Sequence, residues 1–384
     1  MSKFRCSGEG EMYDKKVVSL VSVLAVFGSW NNTALADVDV RVSGFLTTMV
    51  TQGSNDKDAT YDYGVATKDL EWDTRDNHVG LQFASSIDPK IDVTAQFIAR
   101  GGFENYAMET DWAYIDYKAL DNTKLRIGKY KVPQFIASDY QDVGYAYPWV
   151  RPPQDVYGTN PLISLNGIDL SYKANIYSSK LFLDLFYGDG THKTFVPPRT
   201  ADLNPDVPAE YKGASVSFDT KKTRGIAIKY SAQTFTLRAG YFKTEVDANL
   251  GTKVLKDVPG AFGGVGFTMD VNNIIAYSEF IRRNTDPEMA DAFPDQDAWY
   301  ITLGYRFGKF LPTLTFSQIK PGVDKSILAI EEKSGALDFR YDIGKSADIK
   351  FEALYVKPKE GNHGLFYEPV KSGKVYSASF DVIF

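Results

Sequence analysis

From Asp37 onward, apolar side chains recur at every second position over short stretches, and turn-forming residues separate one stretch from the next. Successive side chains of a strand point to opposite faces, so this spacing predicts β-structure rather than helix. The last ten residues show it best. Tyr376, Ala378, Phe380, Val382 and Phe384 fall on one face, and Ser377, Ser379 and Asp381 on the other. A strand with lipid on one side and water on the other reads this way.

Strands are predicted over 38–51, 70–87, 91–100, 109–119 and 123–131. A long segment without period, 132–163, then intervenes and carries Pro133, Pro148, Pro152, Pro153 and Pro161. Pairing resumes over 164–177 and 180–188, followed by a second long loop over 189–222. Regular hairpins follow at 223–232 with 234–246, 260–269 with 274–283, 296–306 with 311–319, and 335–341 with 349–357. The terminal strand brings the count to sixteen. Short turns such as Asp88-Pro89-Lys90 and Leu120-Asp121-Asn122 alternate with long polar loops, which puts both ends of the barrel chain on the turn side. The expected fold is therefore all-β: a transmembrane antiparallel up-and-down β-barrel of sixteen strands.

Composition changes the picture at the front of the chain. Lys15 and Lys16 precede an apolar run over 17–28, and Ala34-Leu35-Ala36 offers a small-x-small cleavage site. These are the ordered parts of an export signal, and the run is shorter than the roughly 20 residues a spanning helix needs. The expected organisation is a cleaved leader over 1–36, with Met12 as an alternative start, and one barrel domain over 37–384. The single cysteine, Cys6, falls in the leader. Twenty-four Tyr and 25 Phe accompany a mean hydropathy of −0.27, as expected where only alternate residues meet lipid. A net charge of −6 gives no reason to expect a nucleic-acid partner. His78, His192 and His363 stand in a strand start and two separate loops, without the spacing of a metal site. No nucleophile elbow or phosphate loop is present, so neither enzyme nor cofactor is expected. The glycines of Gly263-Gly264-Val265-Gly266 suit close strand packing.

Several stretches resemble the general porins of Gram-negative bacteria. They are His78-Val79-Gly80-Leu81 opening a strand, Ala113-Tyr114-Ile115-Asp116-Tyr117 followed by a turn and Leu125-Arg126-Ile127-Gly128-Lys129, a long proline-containing loop after the fifth strand, and the terminal Phe384. The resemblance implies an outer-membrane diffusion channel for ions and small hydrophilic solutes. It also implies three associated barrels and a fifth-strand loop folded inward as a constriction, here 132–163. Phe380, Val382 and Phe384 would form the signal read by the barrel assembly machinery, with outer-membrane lipid and lipopolysaccharide around the barrel.

A barrel of this strand number encloses water, so selectivity requires charge brought close to the passing solute. The loop offers Asp139, Asp142, Asp155 and Arg151, and inward-parity positions Arg41, His78, Arg100 and Arg126 offer an opposing basic wall. Such an arrangement would set up a transverse field that filters solutes. Two departures from the family bear on this. His78 stands where these porins usually carry arginine, and Pro133-Gln134-Phe135 lacks the acid of the family's loop motif. The alternative expectation is a substrate-specific porin that binds a small anion, a phosphate or dicarboxylate, at the same constriction.

Overall fold

The computed structural model describes residues 39–384, apart from 62–65, 71, 73–75, 102–107, 196–214, 250–253, 291–292 and 324–328. The expected leader and the alternative start at Met12 lie outside these residues. The strands are β1 (Val40–Asn55), β2 (His78–Asp88), β3 (Ile91–Arg100), β4 (Met108–Leu120), β5 (Thr123–Lys131), β6 (Ser164–Ile176), β7 (Ser179–Phe195) and β8 (Ser215–Ser231). They continue as β9 (Phe235–Asn249), β10 (Val254–Val271), β11 (Ile274–Thr285), β12 (Gln296–Tyr305), β13 (Phe310–Pro321), β14 (Glu332–Asp342), β15 (Ala347–Pro358) and β16 (Gly373–Ile383). Each pairs antiparallel with its sequence neighbours, and β1 pairs with β16 to close the barrel. Closure leaves no strand edge, which is the condition for placing β-structure in lipid.

Burial alternates along the strands as the sequence pattern requires. In β16, Ser377, Ser379 and Asp381 are buried inside while Tyr376 and Phe380 are exposed outside. On β13, Phe310 and Lys320 both face outward, ten residues apart. At about 3.3 Å per residue and a tilt of about 40°, that is roughly 25 Å of height, the thickness of the apolar band of an outer-membrane barrel.

The seam between β1 and β16 ends on the terminal residue. Gly44 donates its N–H to the Phe384 carbonyl at 2.7 Å, and Phe384 donates back to the Gly44 carbonyl at 3.0 Å. Deleting Phe384 removes both bonds at the last point of closure. The truncated protein is expected to reach the membrane as heat-modifiable barrel in much smaller amounts than the full chain; equal amounts on unheated gels would contradict this.

Among the predicted boundaries that differ from the structure, the start of β2 and the ends of the second long loop differ most. β2 starts at His78 rather than at residue 70, because on the β1 side the Asn77 side chain replaces the ladder: its Oδ1 accepts from Met49 N–H and its Nδ2 donates to the Trp72 carbonyl, while its backbone carbonyl accepts from Gly101 N–H at 2.7 Å. The expected loop over 189–222 is shorter, since β7 runs to Phe195 and β8 begins at Ser215. A register shift between Gly188 and Gly190 lets pairing continue, with Thr191 and Lys193 exposed and His192 buried. His192 is therefore a strand residue, its Nε2 2.9 Å from Thr220 Oγ1, and not a loop residue.

Candidate functional site

After β5 the chain turns through 132–163, which holds one 3-10 turn, Gly144–Ala146, and one helical turn, Gln154–Tyr157. The partners of this segment are inward-facing residues, which places it inside the barrel. Phe135, Trp149, Val156 and Tyr157 pack with Phe242 of β9, Phe262 of β10, Ile281 of β11 and Tyr300 of β12. Trp149 meets Tyr300 edge-on, with ring centroids 5.6 Å apart, and its Nε1–H donates to Thr302 Oγ1 at 2.9 Å. This sector of the interior is a dry core, where the sequence pattern led us to expect water throughout. Apart from Glu279 and Thr302, the inward positions on β9–β13 that meet the loop's aromatic side chains at this level are apolar or aromatic, among them Phe242, Phe262, Ile281, Tyr300 and Ile319.

Polar contacts anchor the rest of the segment. Glu279 of β11, fully enclosed, accepts from Tyr157 Oη at 2.5 Å, Tyr300 Oη at 3.0 Å and Ile136 N–H at 2.8 Å. Arg151 is 5% exposed and reaches Asp76 at 3.0 Å and Glu352 of β15 at 3.2 Å. Its Nη2 also donates to Thr51 Oγ1 and Ser377 Oγ, each at 3.1 Å. Lys350 Nζ donates to the Gly144 carbonyl at 2.5 Å and pairs with Asp381 at 3.2 Å. Arg340 donates to the Tyr145 carbonyl at 2.7 Å and to the Tyr147 carbonyl at 3.1 Å.

At Gly144 a Cβ would lie 1.9 Å from Asp381 Oδ1, so only glycine allows the backbone this close to the wall. Gly266 plays the matching part on the wall, where a Cβ would lie 2.7 Å from Ile136 Cδ1. The glycine cluster of β10 thus admits the loop as well as its neighbouring strands.

Asp142 sits between three bases. It pairs with Arg100 of β3 and, at 2.5 Å, with Lys131 of β5, and its carbonyl meets His78 Nε2 at 2.5 Å. Burial opposes ionisation of Asp142, but Arg100 and Lys131 outweigh it and hold the carboxyl well below the ordinary carboxylate range. Asp155 has the opposite environment. It is 2% exposed, accepts from Ser317 Oγ at 2.5 Å, and burial holds its carboxyl above the ordinary range.

The eight predicted site residues therefore divide. Arg100, His78 and Asp142 come together, but in contact rather than across open lumen. Arg151 and Asp155 are buried anchors. Arg126 is matched on its own wall, with Nε donating to Asp116 Oδ1 at 2.8 Å and the guanidinium 3.9 Å above the Tyr114 ring. Arg41 is exposed on β1 opposite Ala84 and has no ion-pair partner among the described residues. Asp139 alone of the loop's charged side chains is exposed. It lines a cavity of about 540 Å³ with Gln82, Gln96, Trp112 and Val143.

Sequence reasoning missed Asp76, Asp111, Lys131 and Glu279 as partners of the loop and its neighbours. Asp111 has outward parity by simple alternation from Trp112 and Tyr114. A register shift between Gln96 and Phe97 turns it inward, where it meets Lys131 at 3.1 Å and accepts from Gln96 Nε2 at 2.7 Å. Lys131 has parity opposite to Arg126, and Gly128 between them has φ +133°, which breaks the alternation.

A closed barrel with an inward segment after its fifth strand invites comparison with known proteins. The model of the family described as Gram-negative porin matches residues 21–361. The chain belongs to the Gram-negative porin family. It is an outer-membrane channel protein, and the solved structures it resembles agree in fold. The in-vitro folded outer membrane protein OmpT of Vibrio cholerae is 12% identical, with TM-score 0.56 over 90% of this chain and 98% of that one. The outer membrane channel DcaP of Acinetobacter baumannii is 13% identical, with TM-score 0.56 over 92% and 99%. An anion-selective porin from Comamonas acidovorans is 11% identical, with TM-score 0.55 over 91% and 100%. No curated protein sequence matches this porin.

Proposed function

We propose that this porin is a passive diffusion channel for ions and small hydrophilic solutes, narrowed by the segment 132–163 and filtered by charge at that constriction. The observation that carries the reading is the contrast within the segment. Arg151, Asp142 and Asp155 are buried in contacts with the wall, whereas Asp139 faces the open side. Rigid support with one free charge at the opening is what a charge filter needs. Because Arg100 and Arg126 are matched by local acids, the field at the opening is set less by a basic wall than by Asp139, Asp184 and the exposed Lys229.

Planar bilayers test the proposal. Conductance of the purified protein should rise nearly linearly with salt, and removal of 141–154 should enlarge it. Saturating conductance with block by phosphate or a dicarboxylate would favour the alternative of a substrate-specific channel. No conductance at all would end both. Export with cleavage after Ala36, association as a homotrimer, insertion by the barrel assembly machinery and a surround of lipopolysaccharide belong to the same proposal. A mature N-terminus at Asp37 and a trimer mass in detergent are the corresponding expectations.

A further inference from the structure

Across the first four strands, one rung of the inner wall is built from neutral polar side chains and an indole. Ser43 of β1 stands opposite Gln82 of β2, Gln82 opposite Gln96 of β3, and Gln96 opposite Trp112 of β4. Ser43 shares its face with Thr47, Gln82 with His78, and Gln96 with Arg100, so the two-residue period points all three side chains into the lumen. The rung lines the cavity of about 540 Å³ that Asp139 reaches from the segment, a volume within the range of sites for small organic molecules. Among the described residues, the side chains of Ser43 and Gln82 have no hydrogen-bond partner. Gln96 is 5% exposed and its Nε2 donates to Asp111 Oδ2 at 2.7 Å, while Asp111 is itself held by Lys131 at 3.1 Å and Arg100 at 3.6 Å. A carboxylate only accepts, which fixes the amide's orientation and leaves Gln96 Oε1 as a free acceptor.

Charge and shape decide the class of solute. Asp139 is the one charged side chain lining the cavity among the described residues, and it opposes an anion. Lys131, 5.7 Å from the Trp112 ring centroid, and Arg100 beyond Asp111 oppose an organic cation. A neutral solute with its own donors and acceptors is left. Ser43 and Gln82 can each donate and accept, whereas Gln96 Oε1 and Asp139 accept only. The Trp112 ring adds an apolar surface with an electron-rich face, which favours C–H bonds laid against it. A pyranose ring offers both complements, C–H groups on its faces and hydroxyls around its edge. We propose that Ser43, Gln82, Gln96 and Trp112, together with Asp139, form a weak binding subsite for a neutral saccharide in the lumen, with the sugar ring on Trp112 and its hydroxyls on the amides and the carboxylate. The subsite rests on the channel reading and adds to it the class of solute retained beside the constriction.

Calorimetric titration of the full mature protein in detergent tests this, with cellobiose as the probe because its equatorial hydroxyls leave both ring faces apolar. Sorbitol, which carries hydroxyls but no ring, is the comparison. Cellobiose is expected to bind in the millimolar range and sorbitol more weakly. Trp112→Ala should weaken cellobiose about tenfold, the loss of one aromatic contact and its area, and Gln82→Ala about fivefold, the loss of one hydrogen bond. Trp112→Phe keeps a ring and should stay within about threefold of the parent protein. Heat-modifiable bands on unheated gels verify that each variant is a folded barrel. No binding by the parent protein, or binding unchanged in both Trp112→Ala and Gln82→Ala, would overturn the subsite, as would sorbitol binding as tightly as cellobiose. Displacement of cellobiose by an equal concentration of putrescine would assign the cavity to an organic cation instead. The titration reads binding without current. A protein that binds cellobiose but does not conduct would therefore overturn the channel reading alone, and one that conducts but does not bind would overturn the subsite alone.

Discussion

Arg151→Ala is expected to release the inward segment from the β15–β1 side of the barrel and give larger, noisier single-channel currents. The guanidinium is 5% exposed and satisfies Asp76, Glu352, Thr51 and Ser377 at once. Glu352 stands directly across from Asp338 in the β14–β15 ladder. Without the arginine, Glu352 and Asp338 face each other and Glu352 loses the cation that reaches it from the segment. Removing one partner of a buried ion pair costs about 3–5 kcal/mol because the other charge is left without compensation. The penalty falls on the docked segment and not on the barrel, whose backbone ladder is untouched. Barrel content by circular dichroism should therefore hold while conductance rises. Arg151→Ala combined with Glu352→Gln should recover part of the loss. Currents indistinguishable from the parent protein would show that Arg151 does not hold the segment in the lumen.

Asp139→Lys is the substitution expected to change selectivity most. The side chain is exposed, so its replacement leaves the packing of the segment alone. It reverses the one free charge on the loop's open face, a change of two units. In water, two units about 8 Å from a passing ion amount to about 1 kcal/mol before salt screening, which reduces it by about half at 0.1 M. The ratio of cation to anion permeability should fall about two- to fivefold, read as a shift in reversal potential across a salt gradient. Asp142→Asn, by contrast, should act chiefly on the segment's stability, since that carboxylate is enclosed by Arg100 and Lys131. A reversal potential that ignores Asp139→Lys but follows Asp142→Asn would reverse these roles.

The barrel was legible because its pattern is local. Alternation, turn chemistry and the count of sixteen need only neighbouring residues, and β3 and β5 have the predicted bounds of 91–100 and 123–131. Boundaries failed where a side chain replaced the ladder, as Asn77 does before β2, or where a bulge let pairing continue, as at Gly188 and Gly190. Arg151 and Asp155 were visible as charges in a proline-rich segment, but nothing near them in the chain reveals that both are enclosed.

From the amino-acid order alone came the closed sheet, the outward apolar face and the segment that interrupts the strands, since each is fixed by periods of two and by residues a few positions apart. Only the folded barrel decided which charges meet. Arg151 reaches Ser377 across 226 positions and Glu352 across 201. Asp111 points inward because a bulge changes its parity. Contacts between residues so distant in the chain depend on strand register around the whole cylinder, and a shift of one residue would exchange every inward side chain for an outward one.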